Sequence, residues 1–445
     1  MYLTDRSAPA GAGTVPGRRR GLRPGVAPVV LVLGTVSLIT DISSEMVTAV
    51  LPLYLVTTLG FSPLAFGTLD GVYNGVGALV QLTGGHLADR IRNHKLLAGL
   101  GYGLSALCKP LLLLVSSIGA LGTVLALDRT GKGLRTAPRD AMISLSTPSG
   151  KQGRAFGVHR AMDTTGAMLG PLAAFLILSA AADGYDAVFG VSACVAVLGV
   201  VVLVLFVPGK LRGAPVDRAR EAEVGQPVLV QEAGAADNRE AGAAEGRPPV
   251  RVREAFALLR LPRLRALAGC AALLGLTTVS DAFVYLLLQR RAGIGEQWFT
   301  LLPLGTALVF LLLAVPLGAL ADRVGRHTVF LSGHGALLIG YALLLWAPAT
   351  PAIPFLVLAL HGVFYAATDG VLPAALADIV PEELRASGLA IVGTSQALAR
   401  FCCSLAFGAA WTVWGDGPAL AASAVGLLCC AAIAGRVLRP TDGNR

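Results

Sequence analysis

Residues 128–140 read Asp-Arg-Thr-Gly-Lys-Gly-Leu-Arg-Thr-Ala-Pro-Arg-Asp and follow directly on the apolar run from Ile118 to Leu127. Four cations and two anions therefore stand where the chain otherwise looks like the inside of a bilayer. Charges at that depth cost several kcal/mol unless paired or wetted, and they usually mark a transport pathway. Asp128, Lys132, Arg135 and Arg139 are spaced i, i+4, i+7, i+11, which makes one stripe of a helix, with Arg129 and Asp140 about a quarter turn away. Arg129 falls about ten residues, ~15 Å, from the outer end of its span. It is expected to face a cavity and to tune a nearby carboxylate. Lys132 and Arg135 are candidates to bind substrate or to pair with acids. Arg135, Arg139 and Asp140 could equally snorkel or form an ion-pair network.

A second set of acids lies upstream. Asp41 and Glu45 are i, i+4 on one helical face. Two carboxylates in reach of each other repel when both are ionised, which is the chemistry a proton carrier uses. Asp41 is the expected proton-coupling group, with Glu45 as its partner or a substrate contact. The static alternative is an ion pair of Asp41 with Arg129 or Lys109. Arg160 and Asp163 form an i, i+3 pair, and Lys109 has Asp128 as a plausible structural partner. In the second half Asp281, Asp369, Arg400 and His361 stand alone in apolar surroundings. Asp281 and Asp369 are candidate substrate contacts; His361 reads more readily as a packing residue. Tyr73, Asn74, Gln81 and Gln396 are weaker candidates.

These residues must be carried by membrane-spanning helices. Of 445 residues 54% are hydrophobic and 14% charged, and the mean hydropathy is +0.69. Apolar runs long enough to cross a ~30 Å hydrocarbon core fall at 28–57, 64–88, 95–115, 119–144, 154–181 and 186–207, then at 263–289, 297–320, 328–347, 353–379, 385–413 and 417–437. The expected fold is all-α and polytopic, with twelve transmembrane helices in two six-helix bundles. The expected divisions are a disordered tail 1–25, a first bundle 26–208, a polar linker 209–252, a second bundle 253–438 and a tail 439–445. Arg18, Arg19, Arg20 and Arg23 before an apolar run imitate a signal peptide, but the run is too long and carries Asp41 and Glu45, so it reads as an uncleaved first helix. Basic loops gather on one side, Arg290 and Arg291 excepted, which puts both termini and the linker in the cytoplasm of a plasma (inner) membrane protein. The net charge of +9 is then topogenic, with no nucleic-acid module. The seven cysteines show no zinc spacing and read as small core residues.

The halves repeat each other. Gly85-His-Leu-Ala-Asp89-Arg90 recurs as Gly318-Ala-Leu-Ala-Asp322-Arg323, and Arg154-Ala-Phe-Gly157 as Arg385-Ala-Ser-Gly388. Parallel repeats of this kind put a substrate site between the halves near the midplane.

These residues resemble the major facilitator superfamily, whose signature loop is G-x-L-a-D-r-x-G-r-[kr]. The second copy runs Gly318, Leu320, Asp322, Arg323, Gly325, Arg326; the first keeps Gly85, Leu87, Asp89 and Arg90, with Arg92 in place of the second Gly. Leu127, Arg129 and Gly133 are similar to the l-x-R-x-x-q-G-x-g motif of proton-coupled members, and Gly166, Gly170 and Pro171 to the g-x-x-x-G-P motif of drug/proton antiporters. The resemblance implies two pseudo-symmetric bundles whose spans one, four, seven and ten line a cavity; Asp41, Arg129, Asp281 and Asp369 fall in those four. It also implies that Gly85, Asp89, Arg90, Gly318, Asp322, Arg323, Gly325 and Arg326 work as a conformational latch. A glycine permits the turn and an Asp meets the positive end of a helix.

The expectation is a secondary transporter working by alternating access, most simply proton-coupled efflux of small amphipathic compounds by a monomer, with no cofactor. No G-x-x-x-x-G-K-[ST] loop is present for ATP, and no H-E-x-x-H or G-x-S-x-G for an enzyme. One alternative is transport of an anionic small molecule held by the basic stripe. A non-transporting sensor or enzyme is the remote one.

Overall fold

The computed structural model describes residues 26–90, 93–147, 152–181, 184–208, 260–348, 350–369, 371–377, 379–380 and 385–438. Both expected tails and the linker lie outside the described residues, as do the side chains of residues 81–90 and of Arg385. The chain is built of helices: α1 Pro28–Leu53, α2 Pro63–Arg90, α3 His94–Leu111, α4 Ile118–Leu145, α5 Gln152–Ala180, α6 Gly184–Phe206, α7 Pro262–Gly275, α8 Asp281–Ala292, α9 Glu296–Phe299, α10 Leu302–Val324, α11 Arg326–Trp346, α12 Ala352–Thr368, α13 Val371–Ala377, α14 Arg385–Trp414 and α15 Asp416–Val437. Local sequence sets several ends. Pro28 and Pro262 open their helices where a missing N–H costs nothing. The Asn93 and Ser117 side chains accept from Leu96 N and Ala120 N at the starts of α3 and α4.

Among the described residues, seven helical segments are long and apolar enough to cross a membrane by length and composition. The charged α4 is not among them, and two expected spans are not continuous. Span seven breaks between Gly275 and Asp281, and span ten breaks after Thr368. Backbone groups freed inside a membrane need partners. At the first break Tyr341 Oη accepts from Val279 N at 2.8 Å, and Thr278 Oγ1 donates to the Leu274 carbonyl at 2.9 Å. The break puts Asp281 in the first turn of α8. Large apolar side chains such as Leu114, Val315, Trp346, Phe355 and Val413 cover the outside. In water such a surface would be a liability; in lipid it is the solvated face.

The two halves meet at the end remote from the start of α1 and the close of α15. Ser404 donates to Asp70 at 2.5 Å, Leu64 N to Thr412 Oγ1 at 3.0 Å, and Tyr185 to Glu296 at 2.9 Å. Phe66 meets Phe283 edge-on at 4.8 Å, and Phe175 meets Trp298 at 5.0 Å. The approach of α2 to α14 depends on small residues: a Cβ on Gly408 would stand 2.5 Å from the Pro63 carbonyl oxygen. Arg290 and Arg291, the basic residues on the unexpected side, are used in packing here. Arg290 lies over the Trp411 ring at 5.0 Å and Arg291 donates to the Leu345 carbonyl at 3.1 Å. Of the cysteines, Cys194, Cys402 and Cys429 are exposed rather than in the core.

Candidate functional site

The basic stripe of α4 is tied to the helices around it. Arg135 Nη2 lies 3.3 Å from Asp41 Oδ1, with only 3% of its side chain exposed. Lys132 Nζ stands between the two carboxylates of α1, 3.9 Å from Asp41 and 3.7 Å from Glu45. Arg139 reaches Asp140 at 3.0 Å and Asp163 at 3.7 Å, and donates to Ser37 Oγ at 3.1 Å. Asp128 accepts from Ser105 at 2.5 Å and pairs with Lys109 at 3.0 Å and Arg129 at 3.3 Å. The Arg160–Asp163 pair is present at 3.6 Å. The static alternative paired Asp41 with Arg129 or Lys109; its partners are instead Arg135 and Lys132, the two cations of the stripe expected to bind substrate or to pair with acids, because the stripe and not the quarter-turn position faces α1. Arg135, Arg139 and Asp140 form an ion-pair network. Buried charges have to be compensated in this way, and the cations of the stripe are consumed in doing so.

The glycines of α5 make this arrangement possible. A Cβ on Gly166 would stand 2.5 Å from the Leu38 carbonyl oxygen, and one on Gly170 would stand 2.6 Å from Glu45 Cβ. The motif residues Gly166, Gly170 and Pro171 thus set how closely α5 packs on α1, and with it the place of Glu45.

In the second half the intramembrane polar residues do not stand alone. Asp281 accepts from Tyr365 Oη at 2.6 Å and is hydrogen-bonded to His361 Nε2 at 3.0 Å, with 43% of its side chain still exposed. Asp369 caps the end of α12, and Arg400 lies 6.0 Å from the Tyr365 ring centroid. Among the described residues no carboxylate comes within ion-pair distance of Arg400.

Two cavities join these groups. A central cavity of 370 Å³ lies between the halves; its charged lining is Glu45, Asp70, Asp281, Asp369 and Arg400, and its aromatic lining is Phe66, Tyr73, Tyr285, Phe299, Phe310 and Tyr365. A vestibule of 470 Å³ lies within the first half, against Asp41, Arg129, Lys132, Arg135, Arg139, Arg160 and Asp163. Tyr73 and Asn74 line both. Of the four residues expected on the cavity wall, Asp281 and Asp369 line the central cavity, while Asp41 and Arg129 line the vestibule. A third cavity, of 120 Å³, lies within the second half and shares Thr278, Asp369 and Arg400 with the central one; Gln396 lines it. Sequence reasoning passed over Asp70, Tyr285 and Tyr365. Asp70 was detectable as a charge within a span; the tyrosines carried no signal.

At the loop expected to act as a latch, Gly325 has φ +101°, a conformation for which glycine is needed. Asp322 lies 3.4 Å from Arg326 across that turn and is 67% exposed; Arg323 is exposed, and the added Cβ of Gly318 would meet open space. For the first copy, α2 extends to Arg90, and the side chains of Asp89 and Arg90, with the surroundings of Gly85, lie outside the described residues.

The Major Facilitator Superfamily family model matches residues 33–402 and, separately, 298–444. An uncharacterized MFS-type transporter of Methanocaldococcus jannaschii is 28% identical over 394 residues, 86% of this chain and 88% of the relative. Among solved structures, the nucleoside transporter NupG matches with a TM-score of 0.73 at 13% identity, over 93% of this chain and 100% of that one. A bacterial homolog of the human lysosomal transporter Spinster, in an inward-facing and unoccupied conformation, matches with a TM-score of 0.68 at 16% identity, over 94% of this chain and 100% of that one. At such identities the likeness concerns the fold alone.

Proposed function

The chain belongs to the Major Facilitator Superfamily, and from that premise we propose that this membrane transporter exports amphipathic organic cations in exchange for protons. The observation that carries the reading is the lining of the central cavity, where four carboxylates face one arginine among six aromatic rings. Carboxylates in a low-dielectric cavity attract a cation strongly, and aromatic faces add roughly 0.5–2 kcal/mol each through cation–π attraction. A proton neutralises the same carboxylates, so protons and substrate compete for them. Lys132, shared between Asp41 and Glu45, links the central cavity to the carboxylates of the first half. The export direction rests on the likeness of Gly166, Gly170 and Pro171 to the antiporter motif. The contacts at the far end and the vestibule at the other support the reading of a state open toward the cytoplasm, given the loop charges. The transporter works as a monomer in the plasma membrane, its latch loops engaging when that side closes.

The vestibule favours a second reading. Five cations face two carboxylates there, which suits an anionic substrate; against it, these cations are already paired. The test is transport of ethidium by proteoliposomes under an imposed pH gradient. Ethidium should accumulate in the acidic compartment, and dissipating the gradient should abolish accumulation. Accumulation of organic anions instead would favour the second reading.

A further inference from the structure

The cation that separates the two cavities belongs to the protein itself. Arg129 Cζ lies 3.7 Å from the centroid of the Tyr73 ring. The ring is pinned by a 2.7 Å hydrogen bond between its hydroxyl and Thr48, which in turn donates to the Ser44 carbonyl at 2.9 Å. Tyr73 lines the central cavity and the vestibule, and Arg129 lines the vestibule. Tyr73, with Asn74, therefore stands where the two cavities meet, and Arg129 covers its ring.

Arg129 is also loosely held. Its ion pair is to Asp128 at 3.3 Å, and Asp128 keeps Lys109 and Ser105 without it. Its Nε is buried and has no hydrogen-bond partner. The side chain is 11% exposed, so the guanidinium sits on the ring largely desolvated, where the cation–π attraction is strongest. Neutralising Asp128 does not need Arg129, and the satisfied geometry expected of a purely structural arginine is missing.

We propose that Arg129 is a tethered competitor: its guanidinium occupies the Tyr73 face in the empty protein, and a substrate cation must displace it to pass from vestibule to central cavity. The proposal rests on the cation reading given above. A flat, delocalised organic cation has the surface to take the ring from Arg129. A small, strongly hydrated cation does not, so the stack also acts as a selectivity filter.

The experiment is ethidium binding to the purified full-length protein by equilibrium fluorescence. The variants are Arg129→Ala, Arg129→Gln, Tyr73→Leu and the double variants, with thermal unfolding as the control for folding. Arg129→Gln retains a donor for Asp128 and serves if the alanine variant does not fold. Removing the guanidinium should tighten ethidium binding by about tenfold. In the Tyr73→Leu background the same substitution should change binding less than about twofold, because no ring face is left to vacate. Unchanged or weaker binding in both folded Arg129 variants overturns the proposal. Equal tightening with and without Tyr73 also overturns it, since simple removal of a positive charge then explains the gain. Absence of ethidium binding in the wild type and every variant refutes the cation reading as well, whereas wild-type binding with no gain refutes the tethered competitor alone.

Discussion

Arg135 of α4 and Asp41 of α1, 94 positions apart in the chain, form a buried ion pair at 3.3 Å. The arginine also lies over the Tyr102 ring of α3 at 4.4 Å. One side chain therefore ties three helices of the first half, and its contribution is structural before it is functional.

Removing one member of such a pair strands the other charge in a poor solvent. Arg135→Ala should cost about 3–5 kcal/mol, seen as a large fall in the thermal unfolding temperature in detergent. The double variant Asp41→Leu/Arg135→Met should recover most of that loss, with Lys132 still paired to Glu45. A double variant no more stable than Arg135→Ala would show that the pair is not what holds these helices.

Asp281 is half-exposed in the central cavity and oriented by Tyr365 and His361. Asp281→Asn keeps the shape and removes the charge. It should weaken organic-cation binding by roughly tenfold or more, given the ~1.5–3 kcal/mol of a charge-assisted contact, with little change in unfolding temperature. Isothermal titration of wild type and variant checks this; equal affinities would remove Asp281 from the substrate site.

Much of this was legible in the sequence, for reasons that also mark its limit. Twelve apolar runs and the echo of Gly85–Arg90 in Gly318–Arg323 gave the fold class, because helices in lipid must be long and apolar. The break before Asp281 was not read, since Thr277-Thr278-Val279-Ser280 carries no charge, Gly or Pro to mark it and the compensating hydroxyl of Tyr341 is remote in sequence. The Lys109–Asp128 and Arg160–Asp163 pairs were anticipated. Lys132 and Arg135 were read as possible partners of acids but not assigned to Asp41, because helical phase alone does not say which face of α4 meets α1. For the same reason Arg400 was noticed as an intramembrane charge but not as part of the cavity wall.

The halves touch where α2 meets α14, with Leu64 N bonded to Thr412 at 3.0 Å. A Leu64→Cys/Thr412→Cys pair should crosslink readily with a short bifunctional reagent in the substrate-free protein. The crosslink should stop transport while leaving cation binding within about threefold, as alternating access requires. Undiminished transport after quantitative crosslinking would mean that these helices do not separate during the cycle.

Gly325 permits the turn at which Asp322 meets Arg326. If the turn works as a latch, Asp322→Ala should lower the maximal transport rate several-fold with KM changed less than about twofold, the pattern of a conformational rather than a binding defect. Initial-rate measurements in proteoliposomes separate the two. A rise in KM at constant maximal rate would place Asp322 in binding instead.

The central claim is that the cavity takes cations and that protons compete with them. It is tested most directly by the thermal stability of the purified protein against ethidium, a neutral analogue of similar size and an aromatic sulfonate, at pH 5.5 and pH 8. A ligand that binds the native state raises the unfolding temperature by mass action. The account predicts stabilisation by ethidium that is larger at pH 8, where fewer protons compete for the cavity, and little effect of the sulfonate at either pH. Stabilisation by the sulfonate and not by ethidium would contradict it and make the vestibule of α4 the binding site.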